Sequence, residues 1–178
     1  MNALLIVDMQ KQWIRPDKVM YPSTVQAIQN IQKLKAYFEQ KNQPVFHIFI
    51  SHRADGSDKR AGEEIFNVAG TEPTEIIEEL KPISSNLLIP KTRLSGFYGT
   101  DLLTKLKKYR VQGVAVTGLE LRACVMATYI DAYQNDFRPS AIISDAVLNG
   151  NENYIKNFLQ TFQGEDFLKT TSEWIQAN

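Results

Sequence analysis

The chain is expected to fold as a three-layer α/β/α sandwich around a central, mostly parallel six-stranded sheet of doubly wound, Rossmann-like topology. Three observations carry that expectation. Short, continuous apolar runs rich in branched residues recur along the chain, the mark of strands buried on both faces. Segments of helical period separate these runs, and regular strand–helix alternation argues for a parallel sheet covered on both sides. Finally, 178 residues with 43% hydrophobic content suit one domain, residues 1–178, with a sizeable core.

The elements follow in order. Ala3–Val7 is the first strand and ends in Asp8. Pro16 and Pro22 break the chain on either side of Tyr21. From Thr24 the period changes. Val25, Ile28, Ile31, Leu34, Ala36 and Phe38 form the apolar stripe of a helix, capped by Ser23 or Thr24 and closed by Asn42-Gln43-Pro44. Val45–Ile50 is the second strand. Ser51–Thr74 has no regular period and reads as a long loop over one end of the sheet, followed by a short helix over Thr74–Leu80. Asn86–Ile89 is the third strand, stopped by Pro90 and followed by Lys91. Ser95-Gly96-Phe97-Tyr98-Gly99 is a turn, and Thr100 caps a helix through Leu102, Leu103 and Leu106. Gln112–Thr117 is the fourth strand and Cys124–Asn135 the next helix. Ala141–Ser144 is a fifth strand ending at Asp145. A helix over Asn151–Phe162, a short last strand over Asp166–Thr170 and a helical turn over Thr171–Ala177 complete the chain.

Composition narrows the partners. Lys plus Arg number 20 and Asp plus Glu number 20, a net charge of +0, so no nucleic-acid partner is expected. No apolar run approaches the roughly 18 residues that span a bilayer, so no membrane partner is expected either. MNALLIVDMQ has no basic leader and reads as an internal strand rather than a signal peptide. The single cysteine excludes a disulfide framework within the chain and fits a reducing compartment, hence a cytoplasmic location. The isolated glycines never assemble into a phosphate-cradling or dinucleotide pattern, and no cofactor is expected.

The chemistry centres on Gly118-Leu119-Glu120-Leu121-Arg122-Ala123-Cys124, which leads from the fourth strand into the next helix. Backbone N–H groups at a helix N-terminus are unpaired, and the helix dipole favours negative charge there. A thiol in that position is expected to ionise more easily than one inside a core. Ligands of doubly wound sheets bind beyond the carboxyl ends of the strands, where strand order reverses. Asp8, Lys91 and Cys124 all fall just past such ends and converge if strands one and four are neighbours. Asp8 would then take the thiol proton, and Lys91 would hold Asp8 while lending positive charge. The backbone N–H groups of Cys124 and Glu120 would receive an oxyanion. Taken singly, Cys124 reads as core material, Asp8 as a loop cap and Lys91 as a surface charge; their joint placement favours catalysis. Gln10, Trp13, His52, Arg53, Phe97, Leu119 and Tyr129 are candidates for a substrate pocket. Among these, Gln10 could orient the site by hydrogen bonding, while Arg53, or Arg122 beside the cysteine, could pair with an anionic group. Thr128, one turn past Cys124, reads as a helix-packing residue.

Three segments then carry a resemblance: LLIVDMQ at Leu4–Gln10, KTRLSGFYGTDL at Lys91–Leu102 and VTGLELRACVMATYIDAY at Val116–Tyr133. In order and spacing they resemble the signature regions of the isochorismatase-like cysteine hydrolases. That superfamily includes nicotinamidases, N-carbamoylsarcosine amidohydrolases, ureido- and biuret-type amidohydrolases and isochorismatases. The resemblance implies Asp8 as general base, Lys91 as its partner and Cys124 as nucleophile. It also implies a cis peptide at Leu119–Glu120 and an assembly of two or four copies of the chain. Nicotinamidases hold a metal ion through an Asp-x-His segment and a second histidine. Here the corresponding segment is Ser51-His52-Arg53 and the only other histidine is His47, so no metal is expected. The activity so implied is cysteine-dependent hydrolysis of an amide or ureido C–N bond in a small molecule. Vinyl ether hydrolysis and a non-catalytic α/β binding module are the alternatives.

Overall fold

Side chains of β1 (Asn2–Val7) alternate between two cores, as a strand buried on both faces requires. Ala3, Leu5 and Val7 enter one apolar cluster, while Leu4 and Ile6 enter the other. The computed structural model describes residues 1–14, 22–149 and 151–178. Within them β1 joins β2 (Val45–Ile50), β3 (Leu87–Lys91), β4 (Gly113–Leu119), β5 (Ser140–Leu148) and β6 (Leu168–Lys169) in one sheet. The order is β3-β2-β1-β4-β5-β6, and every pairing is parallel. The helices are α1 (Pro22–Gln40), α2 (Leu102–Lys108), α3 (Met126–Gln134), α4 (Glu152–Thr161) and α5 (Thr171–Ala177). Leu102 and Leu106 of α2, Ala132 of α3 and Phe158 of α4 cover one face of the sheet. Ala27, Ile28, Ile31, Leu34 and Phe38 of α1, with Trp174 of α5, cover the other. The expected three-layer α/β fold is thus the observed one.

Strand order reverses between β1 and β4, which lie side by side with Val7 opposite Gly118. Gly118 has φ +105°, and a Cβ there would sit 2.1 Å from the Val7 carbonyl oxygen. Only glycine allows this close approach, and it draws the end of β4 against the end of β1, where the reactive side chains emerge.

Several expectations are corrected in detail. Val25 is exposed, as is Ala36, and Ala27 occupies the buried stripe instead. Ser23 and Thr24 lie within the first turn of α1, which begins at Pro22. The break expected at Pro16 and Tyr21 lies outside the described residues. Instead of one helix over Thr74–Leu80 there are two 3₁₀ turns, Glu72–Thr74 and Glu78–Leu80. The backbone between them is held extended, because Lys11 N–H donates to Glu75 O, Ile77 N–H donates to Met9 O, and Gln10 bridges Ile76. Pairing with the segment after β1 outcompetes local helix formation. β5 runs on past Asp145 to Leu148. Asp145 serves as an anchor, its carboxylate accepting the backbone N–H and hydroxyl of Thr171 at 2.8 Å each at the start of α5. No helix among the described residues is long and apolar enough to cross a membrane.

Candidate active site

Asp8, Lys91 and Cys124 meet at the carboxyl ends of β1, β3 and β4. Asp8 follows β1 in a left-handed conformation, φ 50°, which turns its side chain out of the strand's alternation. Lys91 ends β3 opposite Ile50, and its carbonyl accepts Ser51 N–H at 3.0 Å. Its side chain is 0% exposed and that of Asp8 only 3%, with Nζ to Oδ2 at 2.8 Å. Nζ also donates to Arg93 O at 3.0 Å and to Cys124 Sγ at 3.5 Å. These three acceptors use the three donors of a lysine ammonium. Asp8 Oδ1 is buried and takes no hydrogen bond from a nitrogen or oxygen donor among the described residues.

Cys124 does not sit at the mouth of a regular α-helix. Helical winding begins as a π turn over Leu121–Val125, and α3 follows at Met126. The peptide bond between Leu119 and Glu120 is cis, the geometry that the resemblance implies there. Glu120 O accepts the N–H groups of Ala123 and Val125 at 3.0 and 3.2 Å, and the second of these bonds closes the wide turn that encloses Cys124.

The electrostatics reverse one sequence-based expectation. Burial, followed by the adjacent Asp8 carboxylate, pushes the Cys124 thiol up to about 12, and Lys91 only partly opposes them. Desolvation and a like charge outweigh the benefit of the helix start. Asp8 is raised too, chiefly by burial against the pull of Lys91, which makes it a better proton acceptor. The resting site therefore holds a neutral thiol beside a basic carboxylate. Alkylation of Cys124 by iodoacetamide is expected to be slow at neutral pH and to keep accelerating beyond about pH 9, since the thiolate is the reacting species. A plateau by about pH 7 would contradict this charge state.

The outer candidates separate. Gln10 is fully buried, and its amide is spent on backbone: Nε2 donates to Ile50 O and Thr74 O at 2.9 Å each, and Oε1 accepts Ile50 N–H at 3.0 Å. It ties the segment after β1 to the end of β2 and to the 3₁₀ turn at Glu72–Thr74. His52 is 2% exposed, with Nδ1 3.3 Å from Asp58 Oδ1. Phe66 packs edge-on between His52 and Trp13, at 5.3 and 5.6 Å between ring centroids. Asp58 and Phe66 lie in the aperiodic segment after β2, where no spacing signalled them. Arg53 is exposed, its backbone N–H donating to Asp58. Phe97 joins the core beside Phe137, Tyr129 packs on Phe167, and Leu119 packs toward the α1 face. All three are half-buried, with one side against the core. Arg122 is paired with Glu120 at 2.7 Å. His47 faces Asn86 within β2, burial lowering it to about 4. Among the described residues no three His, Cys, Asp or Glu side chains gather where a metal ion could be held.

An Isochorismatase domain family model matches residues 2–172. The chain belongs to the isochorismatase family. It is 30% identical over 136 residues to the uncharacterized isochorismatase family protein YddQ of Bacillus subtilis, covering 76% of this chain and 72% of that protein. It spans only about half, 52%, of enterobactin synthase component B of Escherichia coli, at 27% identity and 82% coverage of this chain. Among solved family structures, an isochorismatase family protein from Desulfovibrio vulgaris superposes with a TM-score of 0.87 at 25% identity, covering 98% of this chain and 96% of that one. N-carbamoylsarcosine amidase from Thermoplasma acidophilum superposes at 0.78 with 27% identity, covering 97% and 98%.

Proposed function

We propose that this isochorismatase-family protein is a cysteine-dependent hydrolase of a small-molecule amide or ureido C–N bond. The observation that carries the reading is the buried contact of Lys91 Nζ with both Asp8 Oδ2 and Cys124 Sγ. The similarity to an N-carbamoylsarcosine amidase supports the bond class. A cysteine in this contact favours acyl transfer over vinyl ether hydrolysis, which needs general acid chemistry and no nucleophilic thiol.

In this mechanism Asp8 removes the Cys124 proton as Sγ attacks the substrate carbonyl, so the thiolate forms only when substrate is present. The oxyanion is received by the backbone N–H groups of Cys124 and Glu120, at the start of the helical segment, where such donors lack intrahelical partners. Collapse breaks the C–N bond, and protonated Asp8 passes its proton to the departing ammonia or amine. Asp8 then deprotonates water, which attacks the thioester; the acid leaves and the proton returns to Sγ. Lys91 holds Asp8 in line throughout.

The reading is tested by ammonia release from a panel of small amides and ureido compounds, nicotinamide included, with the Cys124→Ala protein alongside. Release by the wild type and none by the variant is the expected result. Turnover retained by Cys124→Ala would overturn it.

A further inference from the structure

Two side chains on α3 reach across to the loop that follows Lys91. Thr128 is 0% exposed; its hydroxyl donates to Cys124 O at 2.7 Å and accepts Gly96 N–H at 3.0 Å. Three residues on, and so on the same helix face, Asp131 Oδ2 accepts the Ser95 hydroxyl at 2.5 Å. Ser95 Oγ in turn accepts Phe97 N–H at 3.1 Å. The same loop supplies Arg93 O, which accepts from Lys91 Nζ. Gly96 packs closely on Ile48, whose Cδ1 a Cβ there would meet at 2.9 Å.

We infer that Thr128, seconded by the Ser95–Asp131 bond, is a positioning residue that sets Cys124 Sγ against Lys91. A threonine that bonds only the carbonyl four residues back is common and local. Here the hydroxyl has a second, long-range partner, so it joins the backbone of the thiol-bearing residue to the loop that steadies Lys91 Nζ. The joint matters because Cys124 lies in the π turn, where carbonyls follow a different register from the α-helix and rotation of one peptide swings the attached side chain. Thr128 fixes that rotation at the reacting residue itself. The Ser95–Asp131 bond stops the loop from sliding along α3, so the 3.5 Å contact between Lys91 Nζ and Cys124 Sγ is held from both sides. Plain packing would be served equally by valine.

This inference rests on Cys124 being the nucleophile. It is tested with Thr128→Val, which keeps the shape and removes the hydroxyl, Thr128→Ser, which keeps the hydroxyl, and Ser95→Ala, which cuts the second tether. For Thr128→Val, kcat for ammonia release is expected to fall by about 10- to 100-fold with KM little changed, the scale of a misplacement near 1 Å. The pH profile of iodoacetamide alkylation, which needs no substrate, is expected to move down toward that of an ordinary cysteine as Sγ leaves its buried place beside Asp8 and Lys91, where burial and Asp8 together outweigh Lys91. Thr128→Ser restores both readouts, and Ser95→Ala shifts both in the direction of the valine variant. Should Thr128→Val fail to fold, Ser95→Ala carries the same test. Unchanged kcat and an unchanged alkylation profile in the folded variants would overturn the positioning role. If Cys124→Ala is inactive in the same experiment, that failure would leave the proposed reaction standing; an active Cys124→Ala would remove both.

Discussion

Asparagine in place of Asp8 is expected to abolish ammonia release while making the Cys124 thiol easier to alkylate. The two effects have one cause. Asp8 serves each proton transfer in the proposed cycle, from the thiol, to the leaving amine and from water, so the loss is set at about 10⁴-fold, the upper end for general acid–base catalysis. The same carboxylate, after burial, is what keeps the thiol protonated, and Lys91 alone pulls the other way. With the negative charge gone, Lys91 favours the thiolate, and the alkylation profile moves to lower pH. Asparagine also tolerates the left-handed backbone that residue 8 adopts at φ 50°, so the variant adds no backbone strain, and its amide oxygen can still accept from the buried Lys91. A fall in both turnover and thiol reactivity would instead indicate a damaged site.

Replacing Lys91 with methionine is expected to cost both stability and activity, with a pH dependence that identifies the reason. The Asp8–Lys91 pair is buried almost completely, and stripping one partner from a buried pair typically costs about 3–5 kcal/mol while the other stays charged. Asp8 is already raised above its ordinary 3.8 by burial; without Lys91 it is raised further and takes up a proton. Between pH 3.8 and that higher folded-state value, the folded variant binds more protons than the unfolded chain. Its stability therefore falls as pH rises through this window and levels off above it. Urea midpoints for the variant, referred to wild type, should decline from acidic to neutral pH, and a protonated Asp8 can no longer accept the thiol proton. A constant difference across pH would mean that Lys91 does not control the charge on Asp8.

The strands were legible because burial on both faces leaves unbroken apolar runs, and β2 has the expected bounds, Val45–Ile50. Asp8 and Cys124 were legible as strand-end positions because a doubly wound sheet brings its central strand ends together; Lys91 ends the edge strand β3 and reaches Asp8 only through its long side chain. Their contact distances, and the raised thiol, were not, since these depend on desolvation by residues distant in sequence. The π turn at Leu121–Val125 leaves no trace in apolar spacing, because the same side chains suit an α-helix. Gln10 shows the limit for single polar residues: two places beyond Asp8 it suggested an orienting role, but its three backbone partners, from Ile50 and Thr74, are visible only once the loops are folded. Phe66 and Asp58 gather around His52 from a segment with no period to read. Thr128 looked like packing because its second partner, Gly96, lies 32 residues away.

The central claim is that Cys124 forms the covalent bond to substrate. The most direct measurement is intact and peptide mass analysis of protein quenched in acid during turnover of the best amide or ureido substrate found. An acyl adduct on the peptide containing Cys124, absent from Cys124→Ala and lost as turnover completes, is the result expected. Full turnover with no adduct on that peptide, and with Cys124→Ala equally active, would contradict it.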